Sequence, residues 1–184
     1  MELRITDMGE LTIPFDSRQL SLYRRGDKAC VYHSVRWPLK EGKGKWGEFP
    51  LVVVREHYRR LGYTVLASEP RLPDGQGFIL LSYPGYRKRR HPAYTQMANL
   101  LGTELATLDD LNRKADTAKI ALTGNRGGGD PDLFVYKPDR REKFFVEAKY
   151  KDKLNSKQLV TFPIIRKQKW EVKVVRIVSG PYYT

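Results

Sequence analysis

The sequence predicts an α/β fold with a central sheet of mixed strand direction flanked by helices, and three observations carry the prediction. The end of the chain alternates cleanly: a strand over 132–137, a turn at KPDRRE, a strand over 143–149, a helix over about 156–168 and a strand over 171–178. Further upstream, FPLVVVREHYRRL puts apolar residues at 51, 54, 58 and 61, one face of a helix, with Pro50 suited to its first turn and Gly62 ending it. YTVLAS then reads as a strand. Helix, strands, helix and strand in that order pack as layers around a sheet, with the hairpin of 132–137 and 143–149 at its centre.

Composition bounds the rest. A chain of 184 residues with 40% hydrophobic and 30% charged residues has enough apolar surface for one core and is not a disordered polyelectrolyte. Its 34 Lys and Arg against 21 Asp and Glu leave a net charge of +13, which draws polyanions through phosphate contacts and counterion release. A membrane surface is the other polyanion to weigh, but no long apolar run or basic amphipathic helix supports it. The start MELRITDMGE lacks the regions of a signal peptide, so the expectation is an intracellular protein, in the cytoplasm or wherever DNA lies. The single cysteine, Cys30, rules out an intramolecular disulfide and any cysteine-cluster zinc site. His33, His57 and His91 form no ligand spacing, which argues against a histidine-based metal site.

The remaining elements follow from local pattern. LTIPF, LSLYRR and ACVYHSV are short β-like runs punctuated by Pro14, Asp16 and Gly26-Asp27, and read as a hairpin or meander. PLKEGKGKWGEFP has no periodicity, so 38–47 reads as a basic loop. Residues 70–92 hold proline, glycine and the basic run Arg87 to Arg90. A helical region over about 93–114 carries Met97, Leu100, Leu101, Leu105, Leu108 and Leu111, with Gly102 able to break it in two. TGNRGGGDPD is a glycine-rich loop that runs directly into DLFVY.

In FFVEAKY the period of two puts Phe145, Glu147 and Lys149 on one face and Phe144, Val146, Ala148 and Tyr150 on the other. The second face serves the core, and the first holds a carboxylate and an ammonium beside Asp132 on the neighbouring strand. Two adjacent carboxylates force one pKa upward unless a cation such as Mg²⁺ is bound by both. The Ala148 carbonyl offers a backbone ligand. Lys149 is placed to steer an attacking water or to stabilise charge growing on a phosphate.

Gly129, Pro131-Asp132, Glu147-Ala148-Lys149 and the downstream Asp152, Leu154, Ser156, Lys157 and Gln158 together resemble the VRR-NUC branch of the PD-(D/E)XK nucleases. A lone E-x-K is weak evidence, whereas the combination over about thirty residues is specific. The resemblance implies a restriction-endonuclease-like core, with an N-terminal β-rich extension over 1–37, the first helix and strand over 48–68, an insertion over 70–125 and the catalytic hairpin, helix and strand over 126–178, all in one nuclease domain. It implies Mg²⁺, with Mn²⁺ able to substitute, held by Asp132, Glu147, Ala148 and an acid from the first helix. Glu48 is preferred for that acid because it lies at the helix start. Glu56 alternatively reads as a solvent-facing partner for Arg59 or Arg60. Gln158 becomes a catalytic residue beside Asp132, Glu147 and Lys149 by resemblance alone, since spacing would leave it on the surface after a cap at Asn155 or Ser156.

DNA is the implied partner, and Lys43, Lys45, Arg87, Lys88, Arg89, Arg90, Arg126 and Lys157 are the candidate phosphate contacts. The glycines 127–129 either let backbone amides approach a phosphate or form a flexible loop. The insertion reads equally as substrate recognition, oligomerisation or a lid. A homodimer is the assembly that cutting both strands would call for. The expected activity is phosphodiester hydrolysis, structure-selective or general; the competing readings are a sequence-specific restriction-type endonuclease and a non-catalytic basic module whose Glu147 merely pairs with Lys149 or Lys151.

Overall fold

The computed structural model describes residues 9–25, 48–67, 99–125, 128–137, 139 and 141–180. In chain order these form β1 (Glu10–Phe15), α1 (Ser17–Arg24), α2 (Glu48–Arg60), β2 (Thr64–Ala67), α3 (Glu104–Thr123), β3 (Leu133–Tyr136), β4 (Lys143–Lys149), α4 (Ser156–Lys167) and β5 (Val172–Ser179).

The five strands make one sheet in the order β1-β5-β4-β3-β2. β1 and β4 run parallel to β5 on either side of it, while β3 is antiparallel to both β4 and β2. Two apolar layers cover the two faces. Ile13, Phe15, Leu133, Val135, Phe144, Val146, Val175 and Ile177 meet Leu20 and Tyr23 of α1 and Phe49, Val52 and Tyr58 of α2. On the other face Phe134, Phe145, Val172 and Val174 meet Leu111 and Ala115 of α3, Phe162 and Ile165 of α4, and Trp170. This mixed five-stranded sheet flanked by helices is the α/β architecture predicted above, and it is consistent with a restriction-endonuclease-like core.

Covering both faces explains why β3 reads LFVY with no polar alternation and has every residue buried. It also corrects one expectation. The face of β4 that carries Glu147 and Lys149 is apolar at Phe145, which packs on Phe134 at 5.0 Å and Trp170 at 5.4 Å between ring centroids. Charge stands at the two ends of this face, Lys143 at its start and Glu147 and Lys149 at its finish.

Two further expectations change. LSLYRR is helical, because Asp16 caps the N-terminus by accepting from the Arg18 amide at 2.8 Å, and Leu20 and Tyr23 lie three apart on the buried side. α3 starts after Gly102, whose φ is +53°, and runs to Thr123, well past the predicted end at 114. Its buried stripe is Leu111, Ala115 and Lys119; a lysine on the inner face ended the apolar period in the sequence. The β-like run ACVYHSV with Cys30, the loop over 38–47 and the segment 70–92 lie outside the described residues.

Candidate active site

The site begins where the β3–β4 ladder stops. Leu133 pairs with Val146, and continuing that antiparallel register sets Asp132 against Glu147 and Pro131 against Ala148. Proline has no N–H to give the Ala148 carbonyl, so the ladder does not extend. Instead Asp132 Oδ2 accepts the Ala148 amide at 2.9 Å. A side chain thereby replaces a backbone bond, and the Ala148 carbonyl is left without a strand donor from Pro131.

Glu147 is buried, and its Oε1 accepts from Gln158 Nε2 at 2.5 Å and pairs with Lys149 Nζ at 2.9 Å. Gln158 is fixed at its other end, where Oε1 accepts the Asn155 amide at 3.0 Å while Asn155 Oδ1 accepts the Gln158 amide at 3.0 Å. This capping box explains the start of α4 and delivers a polar donor into a buried position. Lys149, also buried, reaches Asp152 Oδ2 at 2.9 Å. Arg176 of β5 donates to the carbonyls of Tyr150 at 3.2 Å and Asp152 at 3.3 Å, holding the turn that follows β4.

The electrostatics follow from this enclosure. Asp132 keeps part of its surface open, yet its carboxyl lies deep; burial pushes its pKa up to about 6 against the opposing pull of the Ala148 amide and Lys149. Burial first, and the Asp132 charge second, raise Glu147 well above the ordinary carboxylate range, outweighing Lys149 and Gln158. Burial works against the Lys149 charge, but Glu147 and Asp152 overcome it, and its pKa lies above the usual lysine value. The Lys149 ammonium in turn prevails over partial burial at Asp152 and lowers it.

The structure therefore brings together Asp132, Glu147, Ala148, Lys149 and Gln158. Glu48 is the first residue of α2, and its side chain lies outside the described residues. Glu56 is buried rather than solvent-facing, pairs with Arg59 at 3.4 Å, and lines a small hollow with Ile13, Pro14, Gln19 and His57. Lys43, Lys45, Arg87, Lys88, Arg89, Arg90 and Arg126 lie outside the described residues. Lys157 donates to Asn125 Oδ1 at the end of α3. Gly129 makes a close approach, though to protein: at φ +82° its position leaves 2.5 Å between an added Cβ and Lys157 Cβ, so the loop packs on the first turn of α4. Sequence reading did not single out Lys119, Asp130 or Arg176; the one signal available for the first was its place four residues after Ala115 and eight after Leu111 on one helix face.

The donor set fits a hard divalent cation. Glu147 Oε2 is buried with no hydrogen-bond donor, beside a second carboxylate that interacts with it directly, and an oxygen in that position is satisfied by a proton or a cation. Among the described residues the acids gathered here are this pair, not three or more.

No protein-family model matches the sequence, and no curated protein matches it. Among solved structures it is similar to the crystal structure of paFAN1 bound to 2nt 5'flap DNA with gap, at 19% identity and a TM-score of 0.39 over 74% of this chain and 21% of that one. The chain thus spans about a fifth of that protein's length. No described helix is long and apolar enough to cross a membrane.

Proposed function

We propose that this chain is a metal-dependent deoxyribonuclease of the PD-(D/E)XK type, general or structure-selective. The observation that carries the reading is the buried Glu147 oxygen without a donor beside Asp132, with the Lys149 ammonium 2.9 Å from the other oxygen. Asp132, Glu147, the Ala148 carbonyl and an acid at the start of α2, Glu48, would hold Mg²⁺ or Mn²⁺. When bound, the metal supplies a polarised phosphoryl oxygen and a more acidic water.

The chain's own residues do the rest. Asp132 and Glu147 provide the negative charge that draws the cation, and Gln158 keeps Glu147 in one rotamer. Lys149, held between Glu147 and Asp152, stays protonated and is available to the charge that grows on a phosphate. The net charge of +13 supports a polyanionic substrate, and Lys43, Lys45, Arg87 to Arg90, Arg126 and Lys157 are the residues this reading assigns to phosphate contacts. Cutting both strands would engage a homodimer, and the working compartment is an intracellular one that holds DNA.

One observation favours a second reading. The Lys149–Glu147 pair at 2.9 Å is also what a non-catalytic DNA-binding module would contain. Such a module has no use for a second carboxylate raised by burial next to the first. Cleavage of linear, branched and flap DNA with Mg²⁺ and with chelator decides between them. Mg²⁺-dependent products are expected; tight DNA binding with intact substrate at every Mg²⁺ concentration supports the module, and products from one short sequence alone support a restriction-type enzyme.

A further inference from the structure

A second buried charge cluster lies just upstream of Asp132. Lys119 of α3 is fully buried, with Nζ 2.9 Å from Asp130 Oδ1 and 3.2 Å from Asp116 Oδ1. Removing an ammonium from water is unfavourable unless carboxylates surround it, so the lysine is there for its partners. Asp116 lies on the same helix, one turn back. Asp130 does not: it belongs to the loop that leads into β3, two residues before Asp132.

The same loop is gripped from the other side. Gly129, at φ +82°, leaves only 2.5 Å between an added Cβ and Lys157 Cβ, and 3.0 Å to the Lys157 carbonyl carbon. Lys157 precedes Gln158, the donor to Glu147. α3 thus pins the loop at Asp130 and α4 pins it at Gly129, and two residues beyond Asp130 the Asp132 carboxylate accepts the Ala148 amide.

We infer that Lys119 is a positioning residue that, through Asp130, fixes the loop aiming Asp132 at Ala148 and Glu147. α3 is accordingly a brace for the site. The effect on metal binding rests on the nuclease reading; the effect on Asp132 does not.

The test compares Lys119→Met, Lys119→Arg and Asp130→Asn, the last removing a charge without leaving a buried carboxylate unpaired. In metal-free protein, amide exchange is measured at Ala148, whose partner is Asp132, and at Val146, which pairs with Leu133 in the ladder. Lys119→Met and Asp130→Asn should speed exchange at Ala148 by about tenfold, the loss of one hydrogen bond, and leave Val146 unchanged. In cleavage assays the Mg²⁺ concentration for half-maximal rate should rise roughly 10- to 100-fold, with the DNA KM unchanged and the rate recovered at saturating Mg²⁺. Lys119→Arg should restore both. Should Lys119→Met fail to fold, Asp130→Asn carries the same two readouts. Equal acceleration at Ala148 and Val146, or no change at either, overturns the inference. A wild-type protein that neither cleaves nor takes up Mg²⁺ removes the nuclease reading, while the Ala148 result still decides the role of Lys119.

Discussion

Gln158 joins two structures at once, because the side chain that completes the capping box of α4 also donates to Glu147 Oε1 at 2.5 Å. Gln158→Ala should cost about 1 kcal/mol in a thermal melt, through the lost bond to the Asn155 amide. Cleavage should fall roughly 10- to 100-fold, because Glu147 then keeps only Lys149 on that oxygen. Gln158→Glu preserves the acceptor for Asn155 and sets a third acid against Glu147. Its melting temperature should be low in chelator and recover with Mg²⁺ more than the wild type does; an equal Mg²⁺ response in both proteins would count against a cation at this place.

Asp132→Asn and Lys149→Met should separate metal from chemistry. The first removes a negative charge and puts an amide beside the Ala148 N–H, so calorimetric Mg²⁺ affinity and cleavage should fall together. The second leaves both carboxylates, so Mg²⁺ and DNA should still bind while turnover falls by at least about a hundredfold. Normal turnover in Lys149→Met would reduce that lysine to the ion pair with Glu147 and Asp152.

The pH response of the metal-free protein should run opposite to that of a salt-bridged acid. Asp132 is raised from 3.8 to about 6 and Glu147 well above its ordinary value, so the folded state binds more protons than the unfolded chain above about pH 4. Unfolding free energy should therefore be greatest at the acid side of this window and decline as pH rises through about 6, by on the order of 2 kcal/mol for Asp132. Urea melts in chelator across pH 4.5 to 7.5 measure the slope. A rising slope there contradicts the burial of these two carboxyls.

Two glycines in one loop should respond differently to the same change. Gly128 and Gly129 have φ of +78° and +82°, but an added Cβ meets nothing within 4 Å at Gly128 and sits 2.5 Å from Lys157 Cβ at Gly129. Gly128→Ala should cost only the left-handed backbone, roughly 1 kcal/mol. Gly129→Ala should cost roughly 2 to 3 kcal/mol, adding displacement of the loop, and lower cleavage as well. Equal melting temperatures would show that the loop is loosely seated.

How much of this was legible depends on whether local pattern or tertiary contact decides a residue's place. The hairpin that opposes Asp132 and Glu147 follows from a period of two and one turn, and those residues could be read directly. Gln158 could not, since a glutamine one turn into a helix is ordinarily solvated; here the capping box turns it inward. α1 was hidden because LSLYRR alternates like a strand, although Asp16 ahead of it is a cap signal. Lys119 was hidden by its type: its burial depends on Asp130, which the chain brings to it only after the turn beyond Gly124. Arg176 reads as an outward residue of β5, and only the turn folded over it gives it two carbonyls to hold.

The pairing of β1 with β5 has a consequence for the order of events during synthesis. Arg176 reaches Glu10 at 2.6 Å across 166 positions of sequence, and Gly180 donates to Phe15 at 3.0 Å. β1 leaves the ribosome before every other described element, and its ladder partner β5 emerges after all of them. Closing so long a loop is slow, and until it closes β1 and the apolar side chains Ile13 and Phe15 have no sheet to join. The nascent chain carries β1 as an unpaired strand edge until β5 has emerged, so this stretch is one that a holding chaperone would cover, and a chain that stops short of β5 would be aggregation-prone.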